Sequence, residues 1–339
     1  MAIQHNTIMK ICLIPPTSDW AIQTGFLKTW EDMVADFPLD GEGYSLVNDE
    51  SLADFSIYHT QEDMNSRIAD IIKPLSSRDI QRFTWDMADR PTGRLSGFYC
   101  SLPKRLFDHR RHSTLSYPIP FNEFIEQFPR ADATLDFSFL GKMTAGVRVR
   151  LVDHFADQAI RANCVVRESA PLPWSWSQET RSDAAVMASK WEYIELIRRS
   201  KFVLCPRGYG TGTFRMFESM QAGRVPVIIS DDYVFPSGID WSSCSITVPE
   251  HQIQTIPAVI ESRLPDWEAL ADNARAVWEQ HFSPQKMMDT IAARLHELSR
   301  SINEASFSSW KHSALIGSAI LQEYVRPIAG QIRKKIGIM

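Results

Sequence analysis

A chain of 339 residues is long enough for two domains, each with its own core. Hydrophobic residues make up 44% of it and charged ones 23%, the balance of a folded globular protein and not of a disordered one. A net charge of -5 excludes a general attraction to nucleic acid, so any basic surface has to be local.

The five cysteines (Cys12, Cys100, Cys164, Cys205 and Cys244) are far apart, odd in number and form no C-x-x-C pair. Cys12 and Cys205 lie inside apolar runs, where a reduced thiol packs as a small hydrophobe. The pattern argues against a disulfide framework and a zinc site, and for a reducing compartment. The apolar stretch at 8–15 is interrupted by Lys10 and ends at Pro15-Pro16 without a small-residue cleavage site. No run approaches the ~20 apolar residues needed to cross a bilayer. A cytoplasmic protein is expected.

In chain order, residues 10–14 read as a buried strand, 25–37 as a helix and 54–59 as a second strand. From 84 to 120 the chain is rich in Pro, Gly, Arg, His and aromatics with little periodicity, which reads as long recognition loops. Beyond Pro129, strand-like runs at 135–140, 164–167, 202–205, 225–229 and 246–248 alternate with helical patterns at 145–161, 189–200, 213–222, 252–263 and 266–281. Alternation at these lengths implies βαβ units and a parallel sheet wrapped by helices, a Rossmann-like half. In the last forty residues Leu321, Val325, Ile328, Ile332 and Ile336 form one apolar stripe, with Arg326, Arg333, Lys334 and Lys335 on other faces. Pro327 should kink or restart that helix. Such a stripe packs against another domain or lies in a membrane interface, and packing is the first expectation.

The chemistry concentrates in residues 200–250. A buried strand empties into a loop holding Pro206, Arg207, Gly208, Gly210, Thr211 and Gly212, and a helix starts near Thr213. Glycines let backbone approach a ligand, and a helix N-terminus offers unpaired N–H groups, so the loop suits a diphosphate. Arg215 lies in the first helical turn, where a cation is unfavourable unless an anion sits opposite it. Glu218, three residues on, shares its face and can receive ribose hydroxyls. Asp231 and Asp232 follow the next strand, at the carboxyl edge where open parallel sheets bind ligands. Plainer readings stand beside these: an Arg215–Glu218 ion pair on a solvated face, and Asp231 and Asp232 as turn residues. Trp241 reads as packing, and Trp174 and Trp176 as loop anchors or stacking surfaces.

These residues resemble the exostosin family of glycosyltransferases (GT47 type). The likeness rests on Pro206-Arg207-Gly208, Gly212-Thr213-Phe214-Arg215, Glu218, Gln221-Ala222 and Val225-Pro226-Val227, followed by Pro236 and Asp240-Trp241. It is strong over about fifty residues and weaker around 137–141, at Arg148 and in the stretch before 125. The resemblance implies an α/β protein of GT-B architecture, two Rossmann-like domains facing across a cleft. It further implies an inverting glycosyltransferase with no D-x-D metal site, no cofactor and a nucleotide-sugar donor, here expected to be UDP-linked. Arg215 would then contact the diphosphate and Glu218 the ribose, with Arg207 and the 210–213 backbone completing the phosphate site.

The expected division is an acceptor-binding domain at 1–130, a nucleotide-sugar-binding domain at 131–310, and a C-terminal helix at 311–339 that crosses back or lies peripherally. The acceptor is expected to be a saccharide or lipid-linked saccharide, with no nucleic-acid partner. Peripheral membrane contact through the basic tail and a homo- or hetero-dimer stay open. For the general base, Asp86 is the first choice; Asp89, His59, His109 and His112 are alternatives, although Asp89-Arg90 also reads as a local ion pair. The run from Lys104 to His112 is either an acidic-acceptor site or a solvated surface. The rival function is a non-catalytic partner subunit supporting another transferase. An epimerase is disfavoured because Gly208-Tyr209-Gly210-Thr211-Gly212 does not match G-x-G-x-x-G.

Overall fold

The structure, a computed structural model, describes residues 8–16, 26–60, 81–117, 122–156, 163–170 and 183–304. Two sheets organise it. The first holds β1 (Met9–Ile14), β2 (Asp40–Gly41), β3 (Tyr44–Leu46), β4 (Phe55–Thr60), β5 (Gln81–Asp86), β6 (Gly97–Tyr99) and β7 (His112–Thr114), in the order β2-β3-β1-β4-β5-β6-β7. Every pairing is parallel except the β2–β3 hairpin. Helix α1 (Phe26–Ala35) packs Trp30 and Met33 into the core of this half.

The second sheet holds β8 (Leu135–Gly141), β9 (Cys164–Glu168), β10 (Ser200–Pro206), β11 (Val225–Ile229) and β12 (Ile246–Thr247), in the order β12-β11-β10-β8-β9. All its pairings are parallel. Its helices are α2 (Gly146–Phe155), α3 (Ala184–Arg199), α4 (Phe214–Gln221), α5 (Ile256–Arg263) and α6 (Trp267–His281). All of β11 and nearly all of β10 are buried, as central strands covered on both faces must be. The architecture is therefore α/β with two Rossmann-like halves, the GT-B arrangement.

The stretch at 84–120, expected to be loops, instead supplies the end of β5 and all of β6 and β7. β6 and β7 have three residues each, too few to show a period of two. β6 begins at Gly97 with φ +145°, where a Cβ would lie 2.2 Å from Thr84 O, so glycine is required for the close approach to β5.

A final helix, α7 (Pro284–Glu304), returns to the first half. Its Met287 Sδ accepts from Ser116 Oγ at 3.7 Å, and Asp289 Oδ1 accepts from Glu42 N–H at 3.3 Å. Helix α7 thus joins the halves; residues 311–339, for which a crossing or peripheral helix was expected, lie outside the described residues with their apolar stripe, as do Trp174 and Trp176. One apolar core runs from Ile57, Trp85 and Phe98, through Met288 and Leu295 of α7, to Met216 and Met220 of α4. A second core fills the other face of the second sheet. No helix among the described residues is long and apolar enough to cross a membrane.

Arg224, fully buried, fastens the connection between the halves. Its Nε and Nη2 donate to Arg198 O at the end of α3, its Nη1 to Phe128 O and Gly223 O, and its Nη2 also to Pro129 O, at 2.7–3.2 Å. All five guanidinium donors are thereby used on carbonyl oxygens. Burial pushes its pKa down to about 10, still charged at neutral pH. Arg224→Ala, which leaves those carbonyls without their donors, should destabilise the protein by about 3–5 kcal/mol in denaturant unfolding.

His59, at the end of β4, is buried with its ring 4.7 Å from that of Trp30. Burial pushes its pKa down to about 3, so the folded imidazole stays neutral. The unfolded chain takes up that proton near pH 6.5, so the neutral ring's contribution is complete above about 6.5 and is lost as pH falls toward 3. Thermal unfolding between pH 7.5 and 4.5 should show a shallower fall in Tm for His59→Gln than for the native protein.

Candidate functional site

Taken in chain order, the strands of the second half are arranged 2-1-3-4-5, so the chain leaves β8 and β10 in opposite directions. A crevice opens at the carboxyl ends of such neighbours. Two arginines meet there. Arg215, on the first turn of α4, is only 7% exposed and donates through Nη2 to Leu140 O at 2.5 Å. Arg148, on α2, donates to Pro206 O, Arg207 O and Lys142 O at 2.9–3.3 Å. Both guanidinium groups lie over the Phe139 ring, at 4.6 Å for Arg215 and 5.9 Å for Arg148. Burial, and then the neighbouring charge of Arg215, push the pKa of Arg148 down to about 10.

Among the described residues neither arginine is ion-paired to a carboxylate, and Arg215 Nε and Nη1 are buried without hydrogen-bond partners. The Thr144 hydroxyl, beside Gly208, is in the same condition. A buried cation with unused donors, set beside a second, partly buried one, is costly unless an anion answers them.

Glu218, half-buried one turn further along α4, does not pair with Arg215. It accepts from the Tyr193 hydroxyl and from Asn122 Nδ2 at 3.2 Å. Tyr193 joins the two residues, because its ring also lies 5.3 Å beneath the Arg215 guanidinium. Burial first, and then Glu218, hold its phenol well above the ordinary value, so it remains a proton donor. Neither Tyr193 nor Asn122 is singled out by the sequence, since each comes from an element remote from the glycine loop.

Beyond β10, β11 and β12 the structure places a cavity of about 240 Å³ between the halves. Arg207, Tyr209, Gly210 and Thr211 line one wall, Asp231, Asp232 and Glu250 another, and Asp89 and Pro103 close it from the first half. Arg207 Nε lies 2.6 Å from Glu250 Oε1. Glu250 also exchanges hydrogen bonds with Asp231, whose Oδ1 accepts Glu250 N–H at 3.0 Å. Lys104 ties the halves together, donating from Nζ to Asp231 O at 2.6 Å and from its backbone N–H to Asp232 O at 3.1 Å. Glu250 was not among the expected residues; it lies three residues beyond β12, a two-residue strand that offers no pattern to read.

Asp86, the first choice for a base, is not brought to this cavity. It is fully buried at the end of β5, accepting from Thr60 Oγ1 at 2.8 Å and Ala88 N–H at 2.9 Å. Asp89, three residues later, is the exposed carboxylate on the wall. His112 is buried with Nδ1 accepting Asp108 N–H and Nε2 at 3.0 Å from Gly93 O, a packing role. Trp241 donates to Pro236 O and packs beside Phe235. No group of three or more His, Cys, Asp or Glu among the described residues is placed to hold a metal ion.

Two of the loop glycines are also needed for the contact between the halves. A Cβ on Gly210 would lie 2.6 Å from Asp89 O, and one on Gly212 2.5 Å from Cys100 O. Gly212 N–H donates to Ser101 Oγ at 3.2 Å, and that oxygen lies 2.8 Å from the Tyr117 hydroxyl. This part of the loop is pressed against the first half, while Gly208 faces Arg148 and Thr144.

Residues 101–263 match the family model of the Exostosin GT47 domain. The chain is 44% identical over 112 residues to the Exostosin-1 homolog of Caenorhabditis elegans, covering 31% of this chain and 28% of that protein. It is 33% identical over 130 residues to Exostosin-1 of Drosophila melanogaster, covering 37% and 17%. The chain thus spans under a third of the length of these relatives. Among solved structures it is similar to a glycosyltransferase from Rickettsia africae, with 9% identity, a TM-score of 0.45, and coverage of 88% of this chain and 99% of that one.

Because the atom nearest a Cβ on Gly212 is backbone, the Cys100 carbonyl oxygen at 2.5 Å, Gly212→Ala should force the halves apart locally. A loss of about 1–3 kcal/mol in unfolding free energy is expected, measured by urea denaturation, with Gly208→Ala milder because its nearest neighbours are side-chain ends at 3.4 Å.

Proposed function

We propose that this chain, exostosin-like over residues 101–263, is an inverting glycosyltransferase using a UDP-linked sugar donor and a saccharide or glycoconjugate acceptor. The observation that carries the reading is the buried Arg215 guanidinium at the parting of β8 and β10, with Nε and Nη1 unpartnered and the partly buried Arg148 beside it. The leaving group of sugar transfer is a nucleoside diphosphate, whose negative charge grows as the glycosidic bond breaks. Fixed cations and helix N–H groups aimed at it stabilise that transition state without having to reorganise.

In this reading the diphosphate sits over Arg215, with Arg148 behind it and the Gly208 and Thr213 backbone alongside. Glu218 uses the lone pairs left after Tyr193 and Asn122 to receive ribose hydroxyls. Arg207, paired with Glu250, shapes the sugar side and is not a primary phosphate ligand. The base is reassigned from Asp86 to Asp89. As the acceptor oxygen attacks the anomeric carbon from the face opposite the diphosphate, its proton passes to the Asp89 carboxylate. Opposite-face attack inverts the configuration. Metal independence belongs to the same proposal, because the arginines supply the positive charge a cation would bring.

Calorimetric titration with UDP and assay of UDP release from UDP-sugars test the reading together. Arg215→Ala should weaken UDP binding at least tenfold and lower kcat/KM by about 10²–10³. Asp89→Asn should lower kcat by about 10²–10⁴ with UDP affinity retained. Unchanged UDP binding in Arg215→Ala would falsify the phosphate assignment. Full UDP binding with no turnover on any donor and acceptor would instead identify the partner-subunit role.

A further inference from the structure

The cavity between the halves has a charge that the phosphate crevice does not share. Its lining carries the carboxylates of Asp89, Asp231, Asp232 and Glu250 against the single guanidinium of Arg207. Arg207 is already matched by Glu250, so the wall presents a net negative face. Tyr209 stands in this wall with 58% of its surface exposed, an aromatic face kept out of the core. Thr211 is more than nine-tenths buried, and its hydroxyl has no hydrogen-bond partner. A volume of about 240 Å³ lies below the range of drug-sized pockets and suits one sugar ring better than a chain of them.

We infer that this cavity selects an acceptor ring that is uncharged or bears an amino group, and turns away a uronic acid. The inference rests on the transferase reading and names the acceptor class for it. Carboxylates accept strong hydrogen bonds from sugar hydroxyls and pair with an ammonium group. A uronate would add a further carboxylate to a wall whose cation is already spent, and like charges brought together oppose binding. The Tyr209 ring supplies an apolar face for the C–H side of a pyranose.

The basic run after Lys104 does not restore an acidic acceptor. Arg110 pairs with Asp108, and Arg111 is turned to Ser96 Oγ and Arg94 O. Lys104, whose ammonium donates to Asp231 O beside the cavity, adds one cation to Arg207, and the four carboxylates still outnumber the two.

Saturation-transfer NMR at pH 7, with and without saturating UDP, tests this using the methyl glycosides of glucose, glucosamine and glucuronic acid. The first two should bind, and the glucuronide at least about tenfold more weakly. The double variant Asp231→Asn/Asp232→Asn, which keeps an acceptor oxygen for Glu250 N–H, should narrow that gap at least threefold through a gain by the glucuronide. Tyr209→Ala should weaken the two binders alike, and Tyr209→Phe should not. Equal or tighter binding of the glucuronide, a gap unchanged in the double variant, or no binding by any of the three overturns the inference. If UDP binds in the same samples, that failure belongs to the acceptor assignment alone. If UDP does not bind, the transferase reading fails with it.

Discussion

Two like charges packed against one phenylalanine ring are the constraint on which the rest of the site depends. Arg148 and Arg215 reach the same gap from helices on opposite sides of the second sheet, and each is held by carbonyl oxygens at strand ends. Carbonyls orient a guanidinium and reduce the cost of burying it, but they do not neutralise it. Phe139 lies against both guanidinium groups and Tyr193 against that of Arg215, and neither ring carries the negative charge that would neutralise them.

The second half cannot hold this arrangement alone. The face of α4 opposite Arg215 buries Met216 and Met220 in a core that continues through α7 into the first sheet. Gln221 donates to Asn122 O and Ile125 O, and Arg224 to Phe128 O and Pro129 O, so the segment joining the halves is stitched to the end of the helix that carries the arginine. Cations gather at the β8–β10 parting, while carboxylates outnumber the Arg207 guanidinium beyond β11 and β12.

Much of this was legible in the sequence, and the parts that were not share a physical cause. Strands 202–205 and 225–229 are continuously apolar, 135–140 alternates around Asp136 and Ser138, and all three occur where expected. Arg215 was readable because a cation at a helix N-terminus conflicts with the helix dipole unless something anionic compensates. The short strands β6 and β7 carry no usable periodicity, and they turned part of an expected loop region into two strands of a seven-stranded sheet. Asp86 and Asp89 are indistinguishable in the sequence; only the turn that ends β5, in which Asp86 accepts Ala88 N–H, decides which of them is buried. Tyr193 and Glu250 are long-range partners, and no local pattern marks such residues.

The seam at Gly210 and Gly212 has a mechanical consequence. Gly210 and Gly212 lie against carbonyl oxygens of the first half, while Gly208, two residues from Gly210, lies beside the Arg148 guanidinium. One short loop therefore serves both the junction of the halves and the wall of the crevice, so a side chain added at the junction acts within a few residues of the arginines.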